Sequence, residues 1–261
     1  ASKKSVEVVL ANIKTETDPA VTRQMLDVVG SKANGNPAVA QLLFDMSKHS
    51  SPLVRKEAVI SLTSSFANKV DGSVERAVAM VNDDKDAGVR RLACERVGTR
   101  FDAKALPVLT QYTTDEAAAK DAKLYESCMK GLMAMWAGAP LYKGSHEPAF
   151  DLFIERITSE KCSKDVPPWT VLTSVGRAAS SKSMGKAAPW FAKRKGELVK
   201  ALTTAATCQN ANWMSRNGAV KALGKLGADK TVFEGLRKAY DGMGSENSNN
   251  LVSQEIDKQL K

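Results

Sequence analysis

Aromatic residues make up only 6% of this 261-residue chain, and histidine occurs twice, at His49 and His146. Two imidazoles exclude a His-rich metal centre. The cysteines are Cys94, Cys128, Cys162 and Cys208, and none are spaced C-x-x-C, which argues against zinc and against a thioredoxin-like centre. No apolar run approaches the roughly 20 residues that a membrane-spanning helix needs. The opening Ala1-Ser2-Lys3-Lys4 lacks the apolar core of a secretion signal, and the missing initiator Met is read as the mark of a processed or trimmed chain. Gly-x-Ser-x-Gly, P-loop and Gly-x-Gly-x-x-Gly patterns are absent, so neither a nucleophile elbow nor a phosphate-cradling loop is expected.

What is present points to helices. Hydrophobic residues reach 43% and charged residues 26%, with Ala, Val, Leu and Lys abundant, a mixture that favours helix over sheet. The net charge is +9 and the pI about 9.3. Such a surface permits contact with phosphates or with an acidic protein, and equally serves to keep a protein soluble.

The clearest local signal is a repeated punctuation. In Ser51-Pro52-Leu53-Val54-Arg55-Lys56-Glu57-Ala58-Val59, Ser51 can cap a helix whose first position Pro52 fills, where its missing N–H costs nothing. Asp18-Pro19 and Asn36-Pro37 repeat the pattern, and Asp86-Ala87 keeps the cap without the proline. An apolar stripe at helical spacing follows, as in Val54, Ala58, Val59 and Leu62, or in Val89, Leu92, Ala93 and Val97. Arg23, Arg55 and Arg90 recur at intervals of 32 and 35 residues, a period that indicates stacked helix pairs. Partner helices are predicted over Val6–Ile13, Pro37–Ser47 and Val74–Val81. From 101 to 209 the pattern is less regular. One helix is predicted from Asp102 to Tyr112 with a bend at Pro107, then a long one from Asp115 through Met135. Others are predicted over Pro148–Thr158, from Trp169 through Ala179, and from Ala188 to Thr207. The punctuation returns at Asn212 to Gly224, where Arg216 precedes Ala219, Val220 and Leu223, and Lys230–Tyr240 with Asn250–Leu260 closes the array.

The pattern Asp/Ser-Pro-x-Val-Arg-x-x-Ala-Val resembles the second helix of a HEAT repeat, well over roughly 15–100 and 210–227 and only in architecture over 101–209. The resemblance implies an all-α, right-handed α-solenoid of about seven HEAT-like helix pairs, forming one domain over 1–261. It also implies that Asp18, Asp86, Arg23, Arg55, Arg90 and Arg216 form a structural ladder between neighbouring repeats, broken at Ser51. Iron hydroxylases of this class carry several His-Glu pairs; this chain has one, His146-Glu147. HEAT-like DNA glycosylases pair Trp with Asp, but the residues one turn after Trp136, Trp169, Trp190 and Trp213 are Pro140, Thr173, Arg194 and Asn217. The expectation is therefore a scaffold without enzymatic activity or cofactor, binding another protein, an acidic one included. The alternative is a nucleic-acid binder.

The strongest basic concentration is Lys182, Lys186, Lys193, Arg194, Lys195 and Lys200, continuing through Arg216, Lys221 and Lys225. Within it the candidate contact site is Lys182, Lys186, Lys193, Arg194 and Lys195, with Trp190 and Trp213 as its aromatic members. A solvated helix face explains the same lysines. Cys162 and Cys208 each fall in a polar connector and would either bridge, which suits an exported protein of the periplasm or cell surface, or stay reduced. Cys94 and Cys128 lie in apolar helical runs and read as buried small hydrophobes.

Overall fold

In a computed structural model of the chain, residues 2–138, 146–158, 167–179, 189–243 and 247–261 are described. Among them are fifteen α-helices and no strand, an all-α array of the solenoid class. The sequence reading places one domain over 1–261; contacts group the chain into two compact units, residues 1–111 and 112–261.

The first unit contains α1 (Lys3–Asn12), α2 (Pro19–Gly30), α3 (Pro37–Met46), α4 (Pro52–Leu62), α5 (Ser73–Asp83), α6 (Ala87–Val97) and most of α7 (Leu106–Tyr112). The capping pattern sets its helix starts. Asp18 accepts from the Ala20 amide, Asn36 from Ala38 and Val39, and Asp86 from Val89. Ser51 departs from expectation: Pro52 opens α4, but the Ser51 side chain makes no cap hydrogen bond. Helices α2, α4 and α6 pack side by side. Val29, Leu43, Val54 and Leu62 are among the residues filling the core.

Arginines tie one repeat to the next. Arg55 donates from Nε and Nη2 to the two oxygens of Asp84, at 2.7 Å each, and from Nη1 to the carbonyls of His49 and Ser50. Arg23 reaches Glu57 at 3.3 Å instead of a cap. Arg90 turns back to the carbonyl of Asp84 at 2.8 Å. The partner of the ladder is thus Asp84, two residues before the cap Asp86, which itself approaches Lys56 at 3.8 Å. Burial pushes the Asp84 carboxyl up. The Arg55 hydrogen bonds, the Asp86 amide and the charges of Arg55 and Arg76 outweigh it and hold the group below its usual range.

The second unit contains α8 (Asp115–Lys120), α9 (Ala122–Gly138), α10 (Glu147–Ile157), α11 (Trp169–Ala179), α12 (Pro189–Thr207), α13 (Trp213–Leu226), α14 (Lys230–Asp241) and α15 (Asn247–Leu260). The single long helix predicted from Asp115 is two helices. Asp121 breaks it because its carboxylate accepts from the amides of Lys123 and Leu124, capping α9 anew. Met129, Met135 and Trp136 of α9 are buried, and Trp136 meets Phe150, Phe153 and Phe191 at ring centroid distances of 5.2–5.8 Å.

Cys94 and Cys128 correct the sequence reading. Both are fully buried, as small hydrophobes would be, but both are disulfide-bonded, as is Cys208. Neither apolar helical run discloses a cross-link, because pairing depends on which helices meet. Cys162 lies outside the described residues, so its pairing with Cys208 stays a proposal. No helix among the described residues is long and apolar enough to cross a membrane.

Candidate binding face

The basic concentration chosen from sequence does not form one open surface. Arg194 donates to Glu197 at 2.5 Å and lies 2.6 Å from Asp151 and 3.7 Å from Glu147. Its guanidinium also sits 4.8 Å from the centre of the Phe150 ring. The hydrogen bond with Glu197 raises its pKa further, so it stays a cation and belongs to the packing of α12 on α10. Trp190 is half-buried, its ring edge-on to Phe150 at 5.5 Å. Lys193 is exposed and Lys195 half-buried, while Lys182 and Lys186 lie outside the described residues. Trp213 opens α13, in a different layer.

That layer is α11, α13 and α15. Gly176 and Gly218 bring the first two together. A Cβ at Gly176 would stand 2.6 Å from the Ala222 Cα, too close for anything but glycine, and one at Gly218 would stand 3.2 Å from the Trp169 carbonyl oxygen, where a neighbour would have to yield by a few tenths of an ångström. Arg216 donates to Asn249 at 2.8 Å and the Asn217 amide to the Leu251 carbonyl at 3.4 Å. These contacts advance together along each pair of helices, so the three helices run parallel. Asn212 starts α13 by accepting from the Ser215 amide at 2.9 Å.

Helix α12 packs on α13, α14 on α15 and α9 on α11, which covers one side of the layer. The other side carries Trp169, Trp213, Met214 and Leu251, exposed by 45%, 38%, 40% and 41%. It also carries Arg177, Lys221, Lys225 and Lys258, all exposed. Arg216, counted both as ladder and as part of the basic concentration, takes the first role: it is buried and lies 5.9 Å over the Tyr240 ring. Burial pushes the Tyr240 hydroxyl pKa up, opposed by Arg216.

Of this face, Trp213 was chosen from sequence as a contact residue, and Lys221 and Lys225 were counted in the basic concentration. A signal for part of the rest was available. The position two residues before Arg23, Arg55 and Arg216 holds Val21, Leu53 and Met214, all exposed apolar side chains, whereas Gly88 stands there before Arg90. Trp169 and Leu251 have no comparable marker.

In the first unit a cavity of about 260 Å³ is walled by Arg55, Asp84, Arg76 and Ser47 among others. Arg55 is already bonded to Asp84, and Arg76 donates to the Ser47 hydroxyl and carbonyl at 2.7 and 2.8 Å. These groups are engaged in joining repeats.

Residues 6–95 match the family model for HEAT repeats. No curated protein matches the chain. Among solved structures, human deoxyhypusine hydroxylase in complex with glycerol is similar at 17% identity and a TM-score of 0.41, with 98% of this chain and 96% of that one covered. The expectation that the chain is not an enzyme is corrected on this finding, since the protein it resembles is one. A likeness this distant assigns no activity and no residue role here.

Proposed function

We propose, from the HEAT repeats of residues 6–95 and the helix layer of the second unit, that the chain is a helical-repeat scaffold. It binds another protein on the side of α11, α13 and α15 that no other described helix covers. One observation carries this reading: four large apolar side chains stand exposed together beside four cations on a layer otherwise covered by helices. Exposed apolar clusters rimmed by polar groups are where protein partners dock. A nucleic-acid role for the stretch around Lys193 to Lys195 loses support because Arg194 is held by three carboxylates.

A photo-crosslinking residue at Met214, with a control at exposed Glu234 of α14, tests the reading in the protein's native source. Cross-links from 214 but not 234, mapped to one partner peptide, are expected. Equal capture at both sites, or nucleic acid as the product, overturns it. We also propose an oxidising compartment, supported by the bonded state of Cys94, Cys128 and Cys208. Non-reducing peptide mapping of protein from its native source would show alkylatable thiols at these positions if this is wrong, and it assigns the partner of Cys208.

A further inference from the structure

We propose that what docks on this face is an acidic amphipathic helix of a partner protein, laid across α11, α13 and α15. The proposal rests on the reading of the face as a protein-binding surface and adds the chemistry of its occupant.

The apolar groups and the cations are segregated into two bands. Contacts between the parallel helices set the levels. Gly218 lies against the Trp169 carbonyl and Gly176 against Ala222, while Asn217 reaches Leu251 and Gly224 lies against Gln259. In that register Trp169, Trp213, Met214 and Leu251 fall within about one helical turn of one another. Arg177, Lys221, Lys225 and Lys258 fall within another. Eight residues separate Trp169 from Arg177 and Trp213 from Lys221, and seven separate Leu251 from Lys258. At 1.5 Å per residue the bands run about 12 Å apart, which matches the roughly 10–12 Å width of a helix with its side chains.

The bands cross three helices. Two steps of about 8–10 Å make them roughly 20 Å long. That is the length of about 13 helical residues. A helix of that size, lying across the stack, can set its apolar stripe on the first band and a flank of Asp and Glu on the second. Among the described residues the face offers little acid of its own. Asp257 pairs with Arg237 of α14 at 3.1 Å, and buried Glu255 bonds Gln259 and lies 3.5 Å from Lys258. Segregation also disfavours a single nucleic-acid strand, which calls for rings and cations interleaved along its path.

The full-length protein would be titrated with stapled helices of about 13 residues, one with a Leu stripe flanked by Glu and a sibling with Lys at every Glu position. A single-stranded DNA oligonucleotide is the third probe. The acidic helix should bind and shift the indole N–H resonances of Trp169 and Trp213, with the basic sibling at least about tenfold weaker. Met214→Asp should abolish this binding. Lys221→Glu with Lys225→Glu should weaken the acidic helix by about tenfold and strengthen the basic one. All three positions are exposed, and an unchanged melting curve shows that the variants are folded. Equal binding of the two helices, no binding of the acidic one, or preferential binding of DNA overturns the proposal. If the cross-linker at 214 captures a defined partner peptide while no acidic helix binds, the docking face survives and the acidic helix does not. If both fail, the docking face falls too.

Discussion

Arg55 shows how a single side chain joins repeats. Its guanidinium is almost wholly buried and uses both oxygens of Asp84 and two carbonyls. Removing one partner of such a pair leaves the other charge buried alone, at a cost of about 3–5 kcal/mol. Arg55→Ala should therefore lower stability by that order in a denaturant titration. Arg90 is half-buried and donates to one carbonyl, so Arg90→Ala should cost less, about 1.5–3 kcal/mol. The reverse ranking would show that the Arg55–Asp84 pair does not hold the repeats together. The pair also sets a pH dependence. The folded Asp84 carboxyl lies below its ordinary value of 3.8, so its contribution is complete above that value and is lost as pH falls through the lower folded value. Asp84→Asn should flatten the acid limb of the stability curve in this window, and an unchanged limb would contradict the assignment. The arginine period was legible in the sequence. The identity of the carboxylate was not, since Asp83, Asp84 and Asp86 are alike in type and only the geometry of the α5–α6 connection selects Asp84.

At the level of helices, glycine acts in two opposite ways. Gly176 lets α11 meet α13 backbone to backbone, so Gly176→Ala forces a shift against Ala222 and should destabilise by about 1–3 kcal/mol. Gly235, inside α14, has nothing within 4 Å of where a Cβ would stand. There Gly235→Ala should stabilise by roughly 0.5–1 kcal/mol, because alanine loses less backbone freedom on folding. Thermal melts of the two variants should move in opposite directions; a shared sign would show that the α11–α13 approach is looser than described. Most helix starts could be read from capping residues, which act within three positions along the chain. The break at Asp121 could not, since a carboxylate in an Ala- and Lys-rich run reads as a surface residue until its own amide bonds are seen.

For the whole molecule, the decisive covalent feature is that Cys94, Cys128 and Cys208 are all bonded. A disulfide stabilises mainly by restricting the unfolded chain, typically by about 2–4 kcal/mol. Reductant should therefore move the denaturation midpoint downward by an amount of that order per bridge broken. A midpoint insensitive to reductant would mean that the bridges do not constrain unfolding. The sequence by itself determined the helical class, the HEAT-like period and most helix boundaries. Each of these depends on interactions between residues a few positions apart, or on spacing along one chain. The tertiary structure alone decided that Arg194 is tied to carboxylates on two helices, and that Trp169, Trp213, Met214 and Leu251 share one face. It also decided that the buried Cys94 and Cys128 are each disulfide-bonded. Exposure and pairing depend on which helices lie side by side, and residues separated by 30 to 50 positions meet only when the array has packed.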